Sequence, residues 1–464
     1  MKTERKLGLL SAIFVCVGLI VASSCLLSLG QGMGLAGRWF VLSIFIVSVL
    51  NFFVTLSFSE LHSLMPNIEG GVGQYTKVGM GPVVSMISNG CAYIVVNLLA
   101  PSVELAMCGM VTHEVFLPMI PAPVISIGFT LILTAVNYLG IDIFSKVQNF
   151  AVALLILSLA ALGLISFFNL GTGQVISNIP QTPPPLASFG GGLSLAALAF
   201  WLFIGVEFVI PISKSLKNPK RDVPLSMMLG VLMLFVIQSI LGTGMTHYVS
   251  YEELASVELP HMLFAERLLG QPGLIWMGII TILAGVSTAN TVMSSIPRII
   301  SGMARNDMAP AFFMKKNRFQ VPVAGLVMVT ASILLLVGTG FTQSSGLVNI
   351  LLAASCFWLT SYILVSMTVL ILRQRYPDHP GRNKKLIFGG IPQILCILGD
   401  LFMIWNIAEG PARIFIYQLF LVILGVMIVF SVVWVKFIKK QPLFKGAAIQ
   451  DVVANEDDWI EESA

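Results

Sequence analysis

Three acidic residues of this 464-residue chain, Glu104, Glu207 and Asp400, stand inside long apolar runs. A carboxylate in such surroundings can hold an ammonium group, pass a proton or satisfy freed backbone amides. Glu207 ends the stretch Trp201-Leu-Phe-Ile-Gly205-Val-Glu207 and precedes Pro211. It reads either as a proton-sensitive gate or coupling group, or as a structural acid capping the amides of a neighbouring interrupted helix. Glu104, in Asn97-Leu-Leu-Ala-Pro101-Ser-Val-Glu104, reads as a partner of a bound ammonium, as a helix–helix hydrogen bond or as a proton relay. Asp400 lies late in the chain and reads as structural or as part of a subunit interface. The face of Trp201 offers cation–π attraction, ~2 kcal/mol when desolvated, or plain packing. Signs of catalysis or ATP drive are missing: the chain has no His-Glu-x-x-His, no Gly-x-Ser-x-Gly and no Gly-x-x-x-x-Gly-Lys-Ser/Thr. No enzyme, metal site or cofactor is expected.

Composition sets the elements that position these groups. Hydrophobic residues make up 56% of the chain and charged residues 10%, against about 25% charged in soluble domains. Mean hydropathy is +0.92. Soluble enzymes, nucleic-acid binders and secreted modules are excluded; this is an all-α polytopic membrane protein. A bilayer core takes roughly 20 helical residues to cross. Apolar runs at 7–29, 39–62, 83–111, 122–140, 147–168, 190–212, 224–248, 272–297, 321–338, 347–372, 388–407 and 413–435 predict twelve spans. The first is a retained helix rather than a cleaved signal.

Lys and Arg resist translocation, so their distribution orients the spans. With both termini cytoplasmic, only Arg38, Arg267 and Arg413 of the 26 Lys and Arg fall outside. The net charge of +4 is too small to imply a polyanionic partner. Residues 1–6 form a cytoplasmic N-terminus. Residues 169–189, with Gln181-Thr-Pro-Pro-Pro185, form an external linker, and 249–271 an acidic external loop. Residues 436–464 form a cytoplasmic tail, acidic and disordered in composition from Asp451 onward. The six cysteines all lie in apolar runs and read as small buried residues.

Irregular backbone at membrane depth survives only where protein buries it or where it lines a cavity. Two spans carry the residues for such a break. The first holds Ala22-Ser23-Ser24, and the sixth holds Gly205, Glu207 and Pro211. Two interrupted helices at matching positions in two halves mark a transporter binding site.

Several motifs resemble the amino acid–polyamine–organocation superfamily. These are Ser59-Glu60-Leu61 with Pro66 and Glu69-Gly70-Gly71-Val-Gly73-Gln-Tyr75; Trp201 to Glu207 with Lys217-Asn-Pro-Lys220-Arg221-Asp222-Val-Pro224; and Ser301-Gly-Met-Ala-Arg305-Asn-Asp307 with Val321-Pro322. The form around Glu207 is most similar to the basic amino acid/polyamine antiporters. The resemblance implies two inverted five-helix repeats, 7–168 and 190–372, with helices 1 and 6 broken, and two trailing helices within 388–435. It also implies alternating access at the plasma membrane, a bacterial inner membrane, and a homodimer.

The same resemblance implies substrate contacts from Ile20, Ala22, Ser23 and Ser24 in the first span. From the third it implies Val96, Ala100 and Val103, with Glu104 beside that stripe. From the sixth it implies Trp201, Ile204 and Glu207, and from the eighth Asn290. Glu207, Glu104 and Glu60 are the gating or proton-coupling candidates, with Glu60 at a cytoplasmic gate.

The sequence departs from the family at three places. Ala22-Ser23-Ser24 replaces Gly-Ser-Gly, which adds bulk and removes two permissive positions from a carboxylate cradle. Leu155 stands where some members carry a fifth-helix lysine. No tryptophan stands near Asn290 to sandwich a guanidinium. The expected function is secondary transport of a cationic or amine substrate, by exchange or proton coupling. The alternatives are a neutral amino acid permease and a non-transporting nutrient sensor with the same fold.

Overall fold

The computed structural model describes residues 8–66, 71–140, 148–177, 181–341, 346–379 and 389–452. Residues 1–6, Glu69, Gly70, Lys146, Lys384, Lys385 and the tail beyond Val452 lie outside these, and with them the expectations placed there. The described chain is mostly helical, with one isolated bridge, Lys316 to Pro322, in place of any sheet. Among the described residues six helices are long and apolar enough to cross a bilayer: Arg38–Leu64, Pro82–Val115, Pro219–Tyr248, Gln271–Arg305, Gly346–Arg375 and Gly410–Ile438. Shorter apolar helices occupy Ala122–Tyr138, Val152–Phe167, Ala196–Ile210, Val323–Gly338 and Ile391–Trp405. This is a multi-pass membrane protein.

The first apolar run does break, between Leu9–Ile20 and Ser23–Ala36, with a bend of 64°. The break needs no glycine. Val21 and Ala22 hold φ of −76° and −89°, with Ala22 extended at ψ 163°, a conformation open to any residue. The expectation that lost glycines deprive this segment of required conformations is therefore corrected. Only the added bulk remains as a consequence of Ala22 and Ser24.

The second break does need its glycine. The helix Ala196–Phe200 tightens into a 3₁₀ turn at Trp201–Phe203, and Ile204 then turns extended at ψ 129°. Gly205 has φ +108°, which L side chains rarely adopt. A second 3₁₀ segment, Val206–Ser215, follows.

Charged side chains tie one end of the bundle. Arg373 grips the Glu60 carboxylate through Nε at 2.9 Å and Nη2 at 2.5 Å, and also donates to the carbonyl of Gly389. Glu60 thus joins Arg38–Leu64 to Gly346–Arg375. The segment following the last helix folds back at the same end. Ala447 donates its amide to the Lys77 carbonyl at 3.1 Å, and Arg375 bridges the carbonyls of Val78 and Gly446. Ile449 and Val452 are buried. The tail's first part, ahead of the acidic stretch from Asp451, has apolar side chains at Leu443, Ile449 and Val452 that give it a face to dock.

Candidate functional site between two broken helices

A small cavity lies where the two breaks meet, with about 40 Å³ of free volume. Ile20, Ala22 and Cys25 line it from the first break, and Trp201 and Ile204 from the second. Asn97, Ala100, Pro101 and Glu104 form one wall, spaced as one face of a helix. Thr288, Val292 and Trp358 complete it. Thr288 Oγ1 is buried and finds no partner among the described residues. That volume holds a water or two. An amino acid or amine enters only if the surrounding helices move apart.

Glu104 closes the first break. Its Oε2 accepts from the Ser23 amide at 2.9 Å and from the Ser23 hydroxyl, and its Oε1 accepts from the Ser24 amide at 3.3 Å. These amides open the Ser23–Ala36 helix, whose own preceding residue, Ala22, has no side chain able to cap them. A buried carboxylate at a helix N-terminus satisfies the freed donors and opposes the positive end of the helix dipole. Ser24 Oγ in turn accepts from Trp201 Nε1 at 2.8 Å, which locks the two breaks together.

Glu207 serves the second break differently. It is fully buried, and it accepts from Trp358 Nε1 at 2.7 Å and Tyr362 OH at 2.8 Å. The acid that caps a broken helix is therefore Glu104, while Glu207 fastens the segment after Gly205 to the Gly346–Arg375 helix. Glu207 is not on the cavity wall; it reaches the cavity through the Trp358 ring.

The structure brings Ile20, Ala22, Ala100, Glu104, Trp201 and Ile204 together around one space, with Ser23 and Ser24 immediately behind it. It does not bring Val96, Val103 or Asn290 there. Val96 and Val103 are fully buried off the wall. Asn290 accepts from Asn137 Nδ2 at 2.8 Å, which ties two helices together away from the cavity. Glu60 stands in its ion pair at the end of the bundle. Asp400 is 1% exposed within the chain, so it presents nothing to a subunit interface. Sequence reasoning passed over Cys25, Asn97, Pro101, Thr288 and Val292 as wall residues. Thr288 lies two residues before Asn290, so its signal was a polar residue in the same apolar run.

A multi-pass bundle with a small, largely apolar cavity carrying one carboxylate between two interrupted helices has the form of a membrane carrier. The chain belongs to the amino acid permease family, whose profile matches residues 7–438. It is 28% identical over 434 residues to the branched-chain amino acid permease BcaP of Bacillus subtilis, covering 87% of this chain and 88% of that one. It is 23% identical over 446 residues to the arginine/agmatine antiporter of Chlamydia pneumoniae, covering 92% and 90%. A manganese transporter of Eremococcus coleocola shares the fold, with a TM-score of 0.57 at 12% identity over 92% of this chain and 95% of that one. These findings agree with the superfamily resemblance of the motifs. The protein is a transporter of amino acids or amines rather than an enzyme.

Proposed function

We propose that the chain is an alternating-access secondary transporter of a cationic or amine substrate, which binds in the cavity between the two breaks. The carrying observation is that small cavity between the breaks, walled by Glu104, Trp201 and Trp358. An acid and two indole faces suit an ammonium group through charge and cation–π attraction. The relative named an arginine/agmatine antiporter supports an amine or cationic substrate. The relative named a branched-chain amino acid permease favours a second reading, a neutral amino acid, for which Ile20, Ile204 and Val292 supply apolar wall.

The reading includes twelve crossings, built as inverted repeats over 7–168 and 190–372 with two trailing helices in 388–435. Both termini are cytoplasmic at the plasma membrane, as the placement of only three basic residues outside suggests. The Glu60–Arg373 pair serves as the cytoplasmic gate. Substrate exchange or proton coupling drives the cycle, with Glu207 as the proton-sensitive group, and the carrier works as a homodimer.

Counterflow in proteoliposomes tests the function. Vesicles preloaded with an amine or a cationic amino acid are expected to accumulate the matching trace label, and those preloaded with acidic amino acids are not. Accumulation only with branched-chain preloads establishes the second reading. A failure with every preload by folded protein contradicts transport and favours a sensor.

A further inference from the structure

The first break carries a carboxylate of the protein's own where a carrier of this architecture receives one from its ligand. Half-helix N-termini hold anionic substrate groups in carriers with broken helices, because their amides are free and their dipoles positive. Here those amides are taken. Ser23 N, Ser23 Oγ and Ser24 N all donate to Glu104, which is 1% exposed and comes from a helix 80 residues further along the chain. The Ser24 hydroxyl accepts from Trp201, which fixes its place beside the second break. Gly285 keeps the opposite side close, since a Cβ there would lie 2.5 Å from Cys108 Sγ and 3.2 Å from Ser23 Oγ.

We infer that Glu104 is a built-in carboxylate that determines specificity, selecting ligands with an ammonium and no α-carboxylate at this end of the cavity. The inference rests on the transport reading for its site. An α-carboxylate arriving at the break meets a like charge at short range and finds the Ser23 and Ser24 amides taken; both effects oppose it in a buried site. A decarboxylated amine meets neither obstacle. A carboxylate has about four acceptor positions, and three of Glu104's are used within the break. The remaining one belongs to a residue on the cavity wall, where an ammonium can complete the set with a charge-assisted hydrogen bond. The specificity follows from which partner fills the helix end, not from a side-chain pocket, so it holds for several amines against their parent amino acids.

The test compares matched pairs that differ only by the carboxylate: agmatine and arginine, putrescine and ornithine, 3-methylbutylamine and leucine. The full-length purified protein is compared with Glu104→Gln and Glu104→Ala, reading ligand-induced thermal stabilisation in detergent and counterflow in vesicles. Wild type is expected to bind the amine of at least one pair ~10-fold or more tightly than its parent, the scale of a single charge-assisted hydrogen bond. Glu104→Gln keeps one acceptor, for the Ser23 amide and hydroxyl, and gives up the longer 3.3 Å contact to the Ser24 amide; it is expected to fold and to lose the amine preference. Glu104→Ala frees those amides and is expected to gain binding of the parent amino acid. Wild type that binds each amino acid as well as its amine, or binds none of the amines, overturns the inference. Amino acid exchange by that same wild type leaves transport standing. Amine binding without any counterflow upholds the inference and contradicts transport instead. If Glu104→Ala does not fold, wild type and Glu104→Gln still decide.

Discussion

Glu207→Ala is expected to abolish transport and to lower the yield of folded protein, whereas Glu207→Gln folds and loses most of its flux. The reason lies in what Glu207 holds. Its two oxygens are the acceptors for Trp358 Nε1 and Tyr362 OH, all fully or nearly fully buried. Alanine strands both donors, each at about 1–3 kcal/mol, a large share of a typical stability of roughly 5–15 kcal/mol. It also releases the segment after Gly205 from the helix that carries Trp358, so the cavity loses a wall. Glutamine keeps an oxygen for Trp358 and offers its amide nitrogen to the Tyr362 oxygen, so the strut survives without the charge. Size-exclusion profiles separate the two variants by folding, and counterflow across a pH series separates strut from gate. Loss of pH dependence in Glu207→Gln assigns the charge a role in the cycle. An unchanged pH–rate curve leaves Glu207 a structural strut only.

Gly205→Val is expected to remove transport almost completely. Valine at φ +108° is strained by about 1–3 kcal/mol or more, since β-branching narrows an already poor region. The chain relieves that strain by abandoning the turn, which moves Ile204 and Trp201 off the cavity and withdraws the indole from Ser24. Counterflow and melting temperature are to be measured beside Gly302→Ala, where an added Cβ meets nothing within 4 Å. The control is expected to transport normally. Normal transport by Gly205→Val contradicts the need for the break.

The long apolar helices could be read from the sequence because a bilayer rewards apolar length directly, and all six crossing-length helices fall on predicted runs. The break at Gly205 was also legible, since glycine, acid and proline cluster there. The partner of each acid was not. Glu104 and Ser23 are far apart in sequence, and the hydrogen bond between them depends on how one helix is rotated against another. On the third run the family resemblance implies Val96, Ala100 and Val103. A π-helical turn at Gly90–Val95 precedes these positions, and π turns alter the rotation of the helix that follows. The structure turns Asn97, Ala100, Pro101 and Glu104 inward. The bonds of Trp358 and Tyr362 to Glu207 carried no spacing signal, because nothing local marks which acid an aromatic will reach.

Cys25 offers the most direct test that ligand binds between the breaks. Its thiol is on the cavity wall, while Cys16, Cys91, Cys108, Cys356 and Cys396 are buried elsewhere. In a transport-competent variant lacking those five cysteines, a small thiol reagent reaches Cys25 only when the cavity opens. A transported ligand at about ten times its Kd is expected to slow that alkylation roughly tenfold by mass action, while compounds that are not transported leave the rate unchanged. Alkylation of Cys25 at the same rate with and without saturating transported ligand would contradict a binding site in this cavity.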